Sequence, residues 1–332
     1  MKNVKKIGLT ALAASLVSTS AFAGEISVAG GASINYENYS GKAMNSTKSF
    51  SMGNQLTFSG SGELDNGMNV SVSFVLDQND DSTTAGAAYS GGPFDSHSVT
   101  VSSDTFGTLT FHGEGGDSAQ NAVGDTAAGN IWDNFDAKHA TPAKLSESRA
   151  GDNMMHYTLP SMVDGLTAAV SYSPATGEDE ADTAFALTYT GVEGLSVSYG
   201  QGSNDGQGAG SGGTSANADA TSIKASYAMG SFTVAYSDHD YDSNTSTSDQ
   251  DATAWKVSYT VSDAISVTYA QETLDSAGTA DTSDAEYTKL TASYTAGGMT
   301  ISANMQDAEN ISYTTATDED IEYVGLSVSF AF

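Results

Sequence analysis

Polar and apolar residues alternate along most of this chain. In Leu166-Thr-Ala-Ala-Val-Ser-Tyr172, Leu195-Ser-Val-Ser-Tyr199, Phe232-Thr-Val-Ala-Tyr236 and Ile265-Ser-Val-Thr-Tyr269, aliphatic residues and a closing Tyr share one parity. Ser, Thr or Ala occupy the other. The runs Phe185-Ala-Leu-Thr-Tyr189, Ile223-Lys-Ala-Ser-Tyr227, Trp255-Lys-Val-Ser-Tyr259 and Leu290-Thr-Ala-Ser-Tyr294 repeat it. A period of two is that of a β-strand whose two faces meet different surroundings. Sixteen such runs are read, near 25–37, 50–64, 68–77, 96–103, 108–113, 152–158, 166–174, 182–190, 195–202, 219–228, 231–241, 251–261, 264–274, 285–294, 299–309 and 320–332.

The connections alternate in length. Short ones carry turn residues: Asp65-Asn66-Gly67, Asp104 to Gly107, Gly191 to Gly194, Met229-Gly230, Ser262-Asp263 and Thr295 to Gly298. Long, acidic, Gly/Ser-rich ones lie near 78–95, 114–150, 203–218, 242–250, 275–284 and 310–319. Tight turns at one end and long loops at the other, with an even strand count, predict an all-β fold: an antiparallel transmembrane β-barrel. Tyr172, Tyr199, Tyr236 and Tyr269 then close strands running one way, and Tyr189, Tyr227, Tyr259 and Tyr294 close those running back. Two aromatic belts at the two lipid–water boundaries are expected. Strands 2 to 5 and the last strand lack such Tyr residues. Their outward parity carries Leu56, Phe58, Val72, Phe74, Val99, Leu109, Phe111 and Leu326 among others, a contiguous sector expected to face other subunits.

Composition narrows the class. The chain has no Cys, 35 Gly and only four Pro in 332 residues, which removes disulfides and thiolate metal sites and favours strands with many turns. Lys2, Lys5 and Lys6 precede the short apolar run Ile7 to Val17, and Ala21-Phe22-Ala23 follows. That is the layout of a signal peptide over 1–23, with a mature barrel domain of 24–332. All 41 acids but only eight of the eleven bases lie beyond Ala23, so the mature chain carries −33. Nucleic acid is excluded as a partner, because phosphate binding needs Lys and Arg. The excess of acid reads either as adaptation to a saline habitat or as a field that favours cations.

The longest connection, Gly113 to Gly151, holds Glu114, Asp117, Asp125, Asp133 and Asp136 together with Trp132 and Phe135. Loops of this length are commonly functional, and the aromatics predict packing, for which the lumen is the nearest place. Folded inward, the loop would narrow a pore and present its acids to solute. By strand parity Lys224, Lys256 and Lys289 point inward from three falling strands, with His112 and His156 inward elsewhere.

Phe106-Gly-Thr-Leu-Thr before this loop, Asp152-Asn-Met-Met-His-Tyr157 after it and the terminal Phe332 resemble Gram-negative general porins, most closely the Rhodobacter type. The resemblance spans the mature chain. It implies a sixteen-stranded homotrimeric barrel of the outer membrane, embedded in lipid and lipopolysaccharide, with the third loop folded into the channel. Loop acids there face a basic wall, and Phe332 resembles the signal read by barrel-assembly machinery. Where such proteins often carry Arg after the strand leading into the loop, this chain has His112. Its only Arg is Arg149, at the far end of the loop. With so thin a basic wall, passive diffusion of small hydrophilic solutes with a preference for cations is expected.

Other classes fit less well. The five His are dispersed, and zinc-protease, nucleophile-elbow and P-loop motifs are all missing from the sequence, so no catalytic role is expected. No cofactor is expected either. Glu180, Asp182 and Asp320, with Asp179, Asp318 and Glu319, are candidates only for loosely bound Ca²⁺ or other counter-ions. The alternatives are a substrate-selective channel, a surface receptor or adhesin barrel, a secreted β-sandwich and an outer-membrane hydrolase.

Overall fold

The computed structural model describes residues 26–41, 47–77, 94–139, 143–175, 180–205, 217–245, 248–278, 282–315 and 320–332. The signal peptide expected over 1–23 lies outside them, as do parts of the long links and Asp179, Asp318 and Glu319.

Among the described residues, sixteen strands close into one antiparallel barrel. The wall starts with β1 (Ser27–Ser40), β2 (Thr47–Glu63), β3 (Asn69–Asp77), β4 (Ser96–Ser103) and β5 (Gly107–Glu114). After the long loop it resumes with β8 (Met154–Thr158), β9 (Leu166–Ser173), β10 (Asp182–Tyr189), β11 (Leu195–Asn204) and β12 (Ala218–Met229). It ends with β13 (Phe232–Ser243), β14 (Gln250–Ser262), β15 (Ile265–Ser276), β16 (Ala285–Ala296), β17 (Met299–Glu309) and β18 (Ile321–Ala331). Each strand pairs with its neighbours in sequence, and β1 pairs with β18 to complete the ring. Closure leaves no open edge, which a wall crossing hydrocarbon requires. The terminal residue joins the seam: Phe332 N–H donates to Gly30 O at 2.9 Å, and Gly30 N–H donates to Phe332 O at 2.7 Å.

Alternation sorts the side chains as the sequence predicts. Large apolar residues such as Val170, Leu187, Val234, Val257, Leu290 and Leu326 are exposed on the outer face, while inner positions are mostly Ser, Thr, Ala and Gly. The ring also places β18, β1 and β2 to β5 side by side, and β1 interrupts the Tyr-poor sector with Tyr36 on its outer face, 5.3 Å from Phe50 of β2. The tight turns stand where expected, for example at Gly230-Ser231, Asp263-Ala264 and Gly297-Gly298.

The strands at the loop end run further than the apolar signal. β13 reaches Ser243 because Asp238-His-Asp-Tyr-Asp242 continues the alternation, with acids in place of apolar residues on the outer parity. The loop itself, 115–153, holds elements that alternation does not show. These are the ribbon β6 (Gly116–Asp117) with β7 (Ala150–Gly151), and two 3-10 turns at Asn121–Val123 and Ile131–Lys138.

Candidate functional site: a loop-narrowed lumen

The loop folds into the barrel, and the wall is built to receive it. Gly200, inward on β11, leaves the room: a Cβ there would lie 2.7 Å from Val123 Cγ2 and 3.0 Å from Gln120 Cα. A Cβ on Gly202 would meet Ser148 Cβ at 2.8 Å. Ala119 packs on Ala184 and Ala186 of β10. Further round, Ile131 and Phe135 of the second 3-10 turn are buried against wall residues Tyr39, Leu274 and Tyr287. The Phe135 ring stands edge-on to Tyr39 at 6.4 Å and 5.8 Å from Tyr287. Trp132 packs half-buried on the same cluster. A small apolar core thus sits inside the barrel, where a loop with aromatics has something to bury.

Polar anchors tie the loop to eight strands, β11 and β14 among them through Asn204 Nδ2 to Glu147 O and Ser146 N–H to Gln250 Oε1. Ala119 N–H donates to Ser171 Oγ on β9 at 2.9 Å, and Gln120 Nε2 to Ser222 Oγ on β12 at 2.7 Å. Ala127 N–H donates to Ser237 Oγ on β13 at 2.7 Å, and Asn134 Nδ2 to Gln306 Oε1 on β17 at 3.2 Å. Tyr39 OH on β1 donates to Asn134 Oδ1 at 3.1 Å. The densest anchor is Glu272 on β15. Its carboxyl is buried and accepts from Thr126 Oγ1 and from the backbone N–H of Ile131 and Trp132, the last two at 3.3 and 3.0 Å. Those N–H groups open the second 3-10 turn, where nothing in the turn itself can accept from them. The turn is entered through Gly129 and Asn130, both at positive φ. Asn tolerates this region better than branched residues, and Asn130 also accepts from Thr126 N–H through Oδ1 and donates to Asp125 Oδ1.

The candidate residues divide by place. Asp117, Asp125 and Asp133 are exposed on the loop, Asp133 at the cavity beside its tip. Asp136 is half-buried and ion-paired with Lys144 on the returning arm. Glu114 stands apart at the end of β5, 3.6 Å from His97. Lys224, Lys256 and Lys289 all lie on the inner face. Lys224 Nζ donates to the Asp125 carbonyl at 2.9 Å, and Lys256 and Lys289 flank Ala270 in register from either side. His156 Nδ1 lies 3.3 Å from the Asp117 carbonyl, and His112 is in register with Met154 beside it on the same inner face. Arg149 meets β11 through its backbone, N–H to Ser203 O at 3.2 Å.

On the outer wall, seven of the eight belt tyrosines are exposed and Tyr199 is half-exposed. The row nearest the long loop also recruits Phe185 and Trp255, whose rings lie 5.8 Å from Tyr199 and 5.5 Å from Tyr269. Phe332 lies exposed over Gly30.

Glu272, Glu37 and Gln306 were not singled out from sequence. The available signal was an acid or amide at an inward parity, visible only once the register is known. In the loop, the carboxyl of Glu147 is pushed up to about 7, first by burial and then by the charges of Asp125 and Asp117. Lys224 opposes that rise. Among the described residues no group of three or more His, Asp or Glu is gathered as a metal site.

Beside the loop tip the lumen holds a cavity of about 470 Å³, bounded by residues 129–134 of the loop and by β1, β16, β17 and β18. Comparison with known proteins agrees with this architecture. The chain superposes on an anion-selective porin from Comamonas acidovorans with a TM-score of 0.68 at 17% identity, covering 93% of this chain and 100% of that one. An engineered porin of Rhodopseudomonas blastica gives 0.63 at 16%, and the trimer form of OmpT from Vibrio cholerae 0.58 at 14%, each with the same coverage. At these identities the likeness is one of fold. No curated protein matches the chain by sequence. A family profile described as Gram-negative porin matches residues 8–288, most of the chain. The chain belongs to the Gram-negative porin family and is an outer-membrane β-barrel channel.

Proposed function

We propose that this porin passes small hydrophilic solutes by diffusion, prefers cations, and works as a homotrimer. The observation that carries the cation preference is the loop geometry. It lies across the lumen with Asp117, Asp125 and Asp133 exposed, while Asp125 supplies the carbonyl that takes up Lys224. Carboxylates therefore face the open space, and part of the basic wall is spent on holding the loop. Charges lining a narrow aqueous passage act on ions within about 8 Å at physiological salt, so they set preference in the constriction. Reversal potential across a KCl gradient tests this: cation selectivity supports the reading, and anion selectivity overturns it.

The trimer rests on the largely Tyr-poor wall from β18 to β5, in which Tyr36 on β1 is the exception. Migration of unheated against heated protein in a denaturing gel tests it, since only an oligomer shifts to one-third of its mass. Removal of residues 1–23 and reading of Phe332 by the assembly machinery belong to the same proposal. So do contact of the outer wall with lipid and lipopolysaccharide, and loose counter-ion binding by the acidic loops without any fixed cofactor.

A further inference from the structure

The cavity beside the loop tip holds side-chain charges of both signs that form no ion pair with one another. Asp133 from the loop and Glu37 from β1 supply two carboxylates, and Lys289 from β16 supplies one ammonium. The side chains of Lys289 and Asp133 make no hydrogen bond or ion pair with the described residues, although Lys289 lies within electrostatic reach of the buried Glu272, and Glu37 receives only hydroxyl groups, from Ser49 and Tyr323.

The remaining polar lining is pre-set. Tyr39 OH donates to Asn134 Oδ1 at 3.1 Å, Asn134 Nδ2 to Gln306 Oε1 at 3.2 Å, and Gln306 Nε2 to Asn304 Oδ1 at 2.9 Å. This chain fixes the orientation of each amide in turn and leaves Asn304 Nδ2 as a donor at the cavity. A polar site whose groups are already oriented loses little freedom when a solute enters. Its volume falls within the range of small-molecule sites, about 300–1,000 Å³.

We propose that this cavity is a weak retention site for basic amino acids. The α-carboxylate is held by Lys289, and the two cationic groups by Asp133 and Glu37. The charge count carries the choice of class. Two carboxylates and one ammonium are matched by a solute with two cations and one anion. A neutral zwitterion leaves one acid unmatched, and an acidic amino acid inverts the match. Sugars are disfavoured because the ring lining this cavity, Tyr323, is buried and tilted against Tyr39 at 4.7 Å. The site rests on the diffusion-channel reading and names a solute class for it.

The test is single-channel recording of the folded full-length protein with L-arginine, glycine or L-glutamate added on one side. Arginine is expected to produce concentration-dependent current interruptions, with glycine weaker and glutamate weakest. In Asp133→Asn the ratio of arginine to glutamate half-blocking concentrations should move about tenfold toward unity, the loss of one charge-assisted contact, whereas Lys289→Gln should weaken retention of all three solutes without moving that ratio toward unity. Equal interruption by all three solutes, a ratio unmoved in Asp133→Asn, or retention of arginine unweakened in Lys289→Gln overturns the retention site while leaving the channel. Absence of any current from folded protein overturns the channel reading and the site with it.

Discussion

Trp132 in the loop donates its backbone N–H to the buried carboxyl of Glu272 on β15, at 3.0 Å. Thr126 Oγ1 and Ile131 N–H converge on the same carboxyl, so one wall residue gathers three donors from the loop segment 126–132. Replacing it leaves buried donors unpaired, each costing about 1–3 kcal/mol. Glu272→Ala should therefore lower the thermal midpoint in detergent and raise open-channel current noise. An isolated change on the outer parity of the same strand, Thr273→Ser, should do neither. If noise is unchanged in Glu272→Ala, the anchor does not hold the loop.

Gly200 is the steric counterpart of that anchor. A side chain there must displace Val123 and Gln120, and overpacking typically costs about 1–3 kcal/mol. Gly200→Leu is expected to destabilise the barrel by that order and to alter single-channel conductance. Gly60→Ala should be close to neutral, because its Cβ would meet Val72 at an ordinary 3.5 Å. Urea or heat midpoints for the two variants decide the point.

Glu147 gives a pH dependence of defined sign. Its carboxyl holds its proton up to about 7 in the folded protein, against 4.5 for the unconstrained group. Between those values the folded state binds more protons, so stability falls as pH rises. The cost is absent below about 4.5 and complete above about 7, where it amounts to about 3 kcal/mol. The wild type should lose more stability from pH 5 to pH 8 than Glu147→Gln, by melting in detergent. Parallel profiles would show that this carboxyl is not the cause.

Val234 lies exposed on the outer wall between Phe232 and Tyr236. A lysine there enters hydrocarbon, at about 2–4 kcal/mol near mid-depth. Val234→Lys should fold poorly into lipid vesicles, while Ala235→Ser on the inner parity should fold as the wild type does.

The wall was legible because a strand between lipid and water must alternate, so Leu195-Ser-Val-Ser-Tyr199 states both its structure and its two solvents. The inward loop was legible in outline from Trp132 and Phe135, which need something to pack on. The ribbon of Gly116–Asp117 with Ala150–Gly151 was not, because two residues carry no period. Neither was Glu272: in sequence it is one acid among 41, and its role depends on a register that brings β15 beneath residues 126–132. Glu114 shows the same limit, since its pairing with His97 follows from a register shift at His97/Ser98.

The most direct test of the whole account is single-channel recording of detergent-purified protein in a planar bilayer, with reversal potential read across a KCl gradient. The account predicts stepwise, long-lived conductance with a reversal potential on the cation-selective side. Folded protein that inserts without conducting, or that conducts with anion selectivity, would contradict it.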